Sequence, residues 1–338
     1  MTNQRLSKLL DDFKKLRVAI VGDFILDRYM IGDTERVSRE APVLVVTYRK
    51  TDHHPGGAAN AAQNVTGLLA KAQAIGLVGE DPEGSILLGL LEERGVDISG
   101  ILRSAEIETA VKIRVVAGEL HAQRQQVVRI DRSYCIDSGS PLTRILQKRM
   151  GEAVQKSDVV LISDYGMGVV PGPVSDAAIE MGRTLGIPIV VDSRHHLLDY
   201  NGATAATPNE SEVIEALNLK ASGTAHLETM TEKLVAEAGL RGVIVTRGSS
   251  GMFVREPGGT RSTIGVIGSN EATDVTGAGD TVSAVTSLSL AAGATLTEAA
   301  EMATYAASVV VMKRGTATVS PEELRARLEQ YPSSIASS

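Results

Sequence analysis

Short apolar runs of strand length alternate with helix-like stretches along this chain, and that alternation constrains its fold more than any other feature. Residues 16–21, interrupted only by Arg17, end in Gly22-Asp23, the pattern of a strand buried on both faces of a parallel sheet. Similar runs recur at 74–78, 159–163, 187–191 and 243–246, separated by stretches of helical spacing such as 87–94 and 174–185. Repeated βα units of this kind build an α/β protein with a mostly parallel sheet. Two regions differ, at 42–47 and at 109–131, where β-rich runs flank a turn at Ala117-Gly118-Glu119. They read as antiparallel strands inserted into the parallel domain.

A chain of 338 residues is long enough to bury a large core. Acidic residues outnumber basic ones, 41 to 34, for a formal charge of −7. The basic residues form no stripe, so nucleic acid is not an expected partner. The single cysteine, Cys135, has no intrachain partner for a disulfide, and the N-terminus lacks a secretory signal. A reducing cytoplasm is therefore the expected location. No window reaches the roughly 18 apolar residues of a membrane span. The nearest candidate, 282–292, is short and rich in Ser and Thr.

Chemistry concentrates at Asp274-Val275-Thr276-Gly277-Ala278-Gly279-Asp280, which runs directly into a helix-like stretch. Glycines let backbone N–H groups converge on an anion, and a helix start adds partial positive charge at the same point. Asp280, in the first turn, would stand beside that anion as a general base for an attacking hydroxyl. The alternative is a glycine-rich turn whose aspartate merely caps a helix. A second paired-glycine element, Pro55-Gly56-Gly57-Ala58-Ala59-Asn60-Ala61-Ala62, also runs into an Ala-rich helix. There is no Walker motif, and Val282 stands where a dinucleotide fingerprint needs its third glycine. The pairs His53-His54 and His195-His196 lack a ligand set, so no structural zinc is expected.

Together the two glycine regions resemble the signatures of the ribokinase family, also called the PfkB carbohydrate kinases. The resemblance implies a three-layer α/β/α core, here over 1–330, with a small antiparallel β lid from strands at about 36–48 and 108–131, and a polar tail at 331–338. It also implies that the lid covers the sugar and pairs subunits into a homodimer. ATP and Mg2+ are the implied cofactors, with a monovalent cation as a further candidate. Asp280 is the implied base, with Gly277, Ala278 and Gly279 as the anion hole. Asp27, Gly56, Gly57 and Asn60 match the sugar-binding positions, and Asp23 beside them is an open candidate.

On the nucleotide side the resemblance points to Asp274, Thr276 and Gly279, and to Asn209, Thr246, Gly248 and Gly251. Asn209 and Glu212 match an Asn-x-x-Glu motif, in which Glu212 would hold magnesium through water. The same spacing also describes a helix cap and its capping-box partner. Several stretches are similar to one branch, the bacterial kinases of heptose 7-phosphate on the route to ADP-heptose. They include residues 22–29, 36–43 and 125–131, Ser163-Asp164-Tyr165-Gly166, and 315–320. Bifunctional members of that branch carry a following nucleotidyltransferase domain, and this chain is expected to correspond to the kinase alone.

A phosphorylated acceptor needs its own cationic pocket, for which Arg36, Arg39, Arg124 and Arg129 are candidates against the alternative of solvated arginines on a strand. The chain departs from the branch at Met167, which replaces a lysine, at Asp192-Ser193-Arg194-His195, which replaces Asp-Pro-Lys-Gly, and at Thr304, where an asparagine commonly lies near adenine.

Overall fold

The computed structural model describes residues 3–118, 125–134, 136, 139–170, 172–219, 227–268, 273–331 and 335–337, with side chains described for these except 35, 36 and 335–337. The chain begins with α1 (Asn3–Phe13), β1 (Arg17–Gly22), β2 (Phe24–Val37) and β3 (Leu44–Gly57). There follow α2 (Ala58–Gly67), β4 (Lys71–Gly79), α3 (Pro82–Glu93), β5 (Asp97–Ser104), β6 (Ala110–Gly118) and β7 (Gln125–Arg132). The middle comprises α4 (Pro141–Val154), β8 (Val159–Asp164), α5 (Pro173–Leu185), β9 (Ile189–Ser193), β10 (Ala205–Ala206), α6 (Glu210–Ala216) and α7 (Leu227–Ala238). Last come β11 (Gly242–Thr246), β12 (Met252–Arg255), β13 (Arg261–Ile264), α8 (Ala278–Ala291), α9 (Leu296–Val310), α10 (Pro321–Gln330) and β14 (Ile335–Ser337).

Among the described residues the large sheet has ten strands in the order β14-β13-β12-β11-β10-β9-β8-β1-β4-β5. From β11 to β5 every pairing is parallel, and β12, β13 and β14 add an antiparallel edge. The chain order reverses between β1 and β8, and ligands of open α/β sheets bind beyond the carboxyl ends of the strands at such a point. Residues 335–337, read in the sequence as part of a polar tail, pair with Ser262–Ile264.

Strand alternation supplies a core on each face. Val18 and Ile20 of β1 join the cluster of α1, α2, α8 and α9, while Ala19 and Val21 join that of α4, α5 and α7. All four are at most 1% exposed, which is why the run reads as continuously apolar. Helix α8 is buried along Asp280–Ser289 and packs on α2, α9 and β8. Its buried hydroxyls are served partly within the helix, Ser283 by Asp280 O and Ser287 by Ser283 O. The apolar stretch at 282–292 is thus a central core helix, and no helix of the described residues is long and apolar enough to cross a membrane.

The second sheet has the order β3-β2-β6-β7. The β2–β3 hairpin starts immediately after β1, so Asp27 lies in a strand of this sheet. Strand β7 is exposed along its length, Val127, Val128 and Ile130 included.

Candidate active site

The turn 274–277 enters α8 with Gly277 as its N-cap at φ 78°. A Cβ at Gly277 would fall 2.4 Å from Asn60 Nδ2, so both the backbone conformation and the close approach require glycine. At Gly279 a Cβ would meet nothing within 4 Å. Asp274 ties the turn down: Oδ1 accepts from Thr276 N–H and Oδ2 from Gly315 N–H, each at 2.9 Å. Although burial works against its charged form, these bonds bring the Asp274 pKa below the ordinary value. The Ala278 N–H is used within the turn, by Val275 O at 3.2 Å.

Asp280 is 3% exposed and receives two donors, Asn60 Nδ2 on Oδ2 at 2.6 Å and the Tyr165 hydroxyl on Oδ1 at 2.7 Å. Burial pushes its carboxyl up, and the two hydrogen bonds together with Arg194 limit the rise to about 6. A carboxyl near that value serves as a proton acceptor at neutral pH. Asn60 is held in turn: Gln63 Nε2 donates to its Oδ1 at 2.6 Å and to Thr316 O at 3.1 Å. The structure therefore brings the two glycine-rich regions together at one carboxylate.

Asp27 is buried, and Arg114 Nη1 meets its Oδ1 at 2.6 Å. Gly56 lies against it, since a Cβ there would fall 2.8 Å from the Asp27 carboxylate. Gly57, at φ 58°, caps α2 and leaves no room beside Asp23 O. A cleft of about 910 Å³ opens beyond the strand ends, lined by Thr276, Gly277, Gly279, Asp280, Asn209, Glu212, Thr246 and Gly248 from the expected set. Arg129 lines it as well, with Asp131 3.0 Å from its Nε. Asp27 stands behind Arg114 and does not itself line the cleft.

Gly251 and Thr304 also lie off the cleft wall. Gly251, at φ 79°, closes the turn between β11 and β12 through Arg247 N–H, which donates to its carbonyl at 2.9 Å. The Thr304 hydroxyl donates to Ala300 O within α9 at 2.8 Å. Asn209 and Glu212 form the reciprocal cap of α6: Asn209 Oδ1 accepts from Glu212 N–H at 2.9 Å, and Glu212 Oε2 from Asn209 N–H at 2.8 Å. Arg39 is exposed, Arg124 lies outside the described residues, and so do Cys135 and Glu119 of the expected lid turn.

The cleft residues to which the sequence assigns no role include Tyr165, Lys112, Arg114 and Arg194. Lys112 Nζ stands 4.4 Å and the Arg194 guanidinium carbon 4.2 Å from the centre of the Tyr165 ring. Burial, then the neighbouring Arg194, lowers the Lys112 pKa to about 8. The signal was present, since Lys112 and Arg114 are two apart on a β run and so share a face. Tyr165 stands two positions after the apolar run at 159–163, behind Asp164.

The acidic wall opposite fits a hydrated cation. Burial raises the carboxyl of Glu212, and burial with the nearby Asp280 and Glu212 raises that of Asp192, while Arg194 works against the rise at both. Among the described residues no three His, Cys, Asp or Glu side chains converge on a metal. The arrangement suits magnesium that keeps its waters.

Residues 15–323 match the pfkB family carbohydrate kinase, and the chain belongs to that family, whose members are phosphotransferases acting on sugar hydroxyls. The bifunctional protein HldE of Gluconobacter oxydans is 40% identical over 331 residues, covering 96% of this chain and 67% of that protein. HldE of Desulfatibacillum aliphaticivorans is 36% identical over 321 residues, covering 95% of this chain and 64% of that protein. The chain thus spans about two thirds of the length of these relatives. Among solved structures, Arabidopsis thaliana ribokinase complexed with ribose and ATP superposes with a TM-score of 0.72 at 18% identity, over 93% of this chain and 99% of that one. Phosphofructokinase-2 from Escherichia coli in complex with potassium gives 0.74 at 19% identity, over the same shares. At these identities the likeness is one of fold, a ribokinase-like α/β core with a smaller sheet beside it.

Proposed function

We propose that this chain transfers the γ-phosphoryl group of ATP to a hydroxyl of a sugar that already carries a phosphate, with the anomeric hydroxyl of heptose 7-phosphate as the acceptor and heptose 1,7-bisphosphate as the product. The observation that carries the reading is the buried Asp280 carboxylate at the start of α8, beside the glycine turn and facing a cleft lined by Lys112, Arg114, Arg129 and Arg194. The cations suit a phosphorylated acceptor, and the similarity to HldE proteins supports the branch.

In this mechanism Asp280 takes the proton of the acceptor hydroxyl as its oxygen attacks the γ-phosphorus in line, and ADP departs with the electron pair of the broken P–O bond. The Thr276 and Ala278 N–H groups are taken up by Asp274 Oδ1 and Val275 O, so the Gly277 and Gly279 N–H groups, with the start of α8, face the charge on the transferring group. Asp27, with Arg114, orients the sugar over Gly56 and Gly57, and Asn60 orients the base. Asn209, Thr246 and Gly248 border the nucleotide, and Asp274 holds the turn against it. Gly251 and Thr304 act there through the turn and helix to which they belong. Glu212 would hold magnesium through water, and magnesium supplies charge neutralisation of the phosphates. The four-stranded sheet acts as lid and homodimer contact, a reading supported by exposed Val37, Leu44, Tyr48, Val128 and Ile130. A cytoplasmic location completes the proposal.

A second reading, a different acceptor, draws on Met167. It is buried against Ile25 and Ala110, an apolar plug where the branch carries lysine. Magnesium-dependent ADP release against sugars, sugar phosphates including heptose 7-phosphate, and nucleosides separates the readings, with Asp280→Asn as control. Turnover with heptose 7-phosphate that the variant loses supports the proposal. Turnover only with another acceptor replaces the branch, and an active Asp280→Asn enzyme removes the base.

A further inference from the structure

We propose that Tyr165 is a positioning residue for the general base: its phenolic hydroxyl holds the Oδ1 side of Asp280 and thereby sets which lone pair faces the acceptor hydroxyl. The inference rests on Asp280 as the base and adds a residue that acts through it. The carboxylate is clamped from two sides, by Tyr165 on Oδ1 at 2.7 Å and by Asn60 on Oδ2 at 2.6 Å. A carboxylate gripped through both oxygens cannot swing, so its remaining lone pairs have fixed directions before any substrate arrives.

The tyrosine is itself pinned from behind. Its N–H donates to Asp23 Oδ2 at 2.8 Å, Met167 N–H donates to the same oxygen at 3.1 Å, and Gly166 N–H donates to Asp164 Oδ1 at 2.8 Å. Asp23 and Asp164 are both fully buried. Asp164 Oδ2 also accepts from Ser193 Oγ at 2.6 Å and from the Tyr200 hydroxyl at 2.8 Å. The loop carrying Tyr165 is thereby tied to the one carrying Arg194, whose guanidinium, like the Lys112 ammonium, stands against the tyrosine ring. The ring cannot rotate away from Asp280 without leaving both cations.

The phenol keeps its proton throughout, because burial and then the adjacent Asp280 charge raise its own pKa well above the ordinary value. As a neutral donor it stabilises the ionised carboxylate, offsetting part of the burial that would otherwise hold Asp280 protonated. The other charged groups facing Asp280 are Arg194 and Lys112, which favour its ionised form, and Asp27 and Asp192, which oppose it. During transfer the proton passes from the acceptor oxygen to Asp280, the new P–O bond forms at the γ-phosphorus, and the old one breaks toward ADP. Tyr165 exchanges no proton in that sequence.

The test is Tyr165→Phe, which keeps the ring under Lys112 and Arg194 and removes only the hydroxyl. The expected result is a fall in kcat of about 10- to 100-fold, an acidic limb of the rate profile moved up by about one pH unit, and a KM for ATP within about twofold of wild type. Fluorotyrosine at position 165, a stronger donor of nearly the same shape, moves that limb the opposite way and serves if the phenylalanine variant does not fold. Movement in opposite directions is not produced by a residue that only fills space. An acidic limb unchanged by either substitution overturns the inference when Asp280→Asn is inactive, and an active Asp280→Asn enzyme overturns the base assignment beneath it.

Discussion

Asn60 donates an amide hydrogen to Oδ2 of Asp280 at 2.6 Å, joining side chains 220 residues apart in the chain. The bond makes one unit of the two glycine-rich elements, because the same amide reaches Gly277 O at 3.3 Å. Asn60→Ala removes a donor from a buried carboxylate and leaves Gln63 without one of its acceptors. The expected outcome is a loss of about 1–3 kcal/mol of stability, with the acidic limb of the rate profile shifted to higher pH. Denaturant melts and a pH–rate series check the two parts separately, and an unchanged limb would detach Asn60 from the base.

The glycines of the turn should part company on substitution. Gly277→Ala forces a Cβ into Asn60 and an alanine into a left-handed conformation, for which the backbone term alone is about 1–2 kcal/mol. Gly279→Ala meets no atom within 4 Å, so its stability should stay within about 0.5 kcal/mol of wild type. If the Gly279 backbone nonetheless lies against a phosphate, that stable variant will bind ATP more weakly. Equal Tm values for both variants would show that the close approach at Gly277 does not hold in solution.

Asp23 links stability to pH. Burial raises its carboxyl to about 7, against the donors Met167 and Tyr165 that favour the charged form, and its Oδ1 has no hydrogen-bond partner. The folded pKa stands above the unfolded value of 3.8, so between those values the folded protein binds more protons. Stability from this group is greatest below the unfolded pKa and falls as pH rises toward 7. Asp23→Asn cannot ionise and keeps an acceptor for both N–H groups. Relative to wild type it should gain stability as pH rises from about 4 to about 8, by an amount on the order of 4 kcal/mol if the whole shift is expressed. Paired melts at the two pH values read the difference, and a pH-independent gap would place the Asp23 pKa near its ordinary value.

The parallel core was legible because a strand buried on both faces leaves a continuous apolar run, as 16–21 and 159–163 do. The candidate base stood out because a glycine turn entering a helix with an adjacent carboxylate has a chemical meaning of its own. The Tyr165 contact was not, since nothing in local spacing brings a residue after β8 onto the first turn of α8; that is set by how α8 packs beneath the sheet. Asn209 and Glu212 mark the opposite limit. Their spacing fits a ligand motif and a helix cap equally, and the cap is present while the residues also border the cleft. Hairpin β2–β3 was placed too late, because Phe24-Ile25-Leu26 continues the apolar texture of β1 without a turn signal to separate them.

Asp27 and Arg114 form a pair whose removal should read differently from each side. The bond is 2.6 Å long, Asp27 is 3% exposed, and Arg114 borders the cleft with its guanidinium 5.2 Å from the Tyr29 ring centre. Asp27→Ala leaves a half-buried guanidinium without its carboxylate and takes away the group proposed to orient the sugar. The acceptor KM should rise by about 10-fold or more while the ATP KM changes little, because the lost interaction lies on the acceptor side. Arg114→Met strips the cleft of a cation but leaves Asp27 buried without its partner, so it should cost both acceptor affinity and about 3 kcal/mol of stability. The double variant should then recover stability relative to Arg114→Met, since no unpaired charge remains, without recovering acceptor affinity. Equal losses in ATP and acceptor KM for Asp27→Ala would remove Asp27 from the sugar side of the cleft.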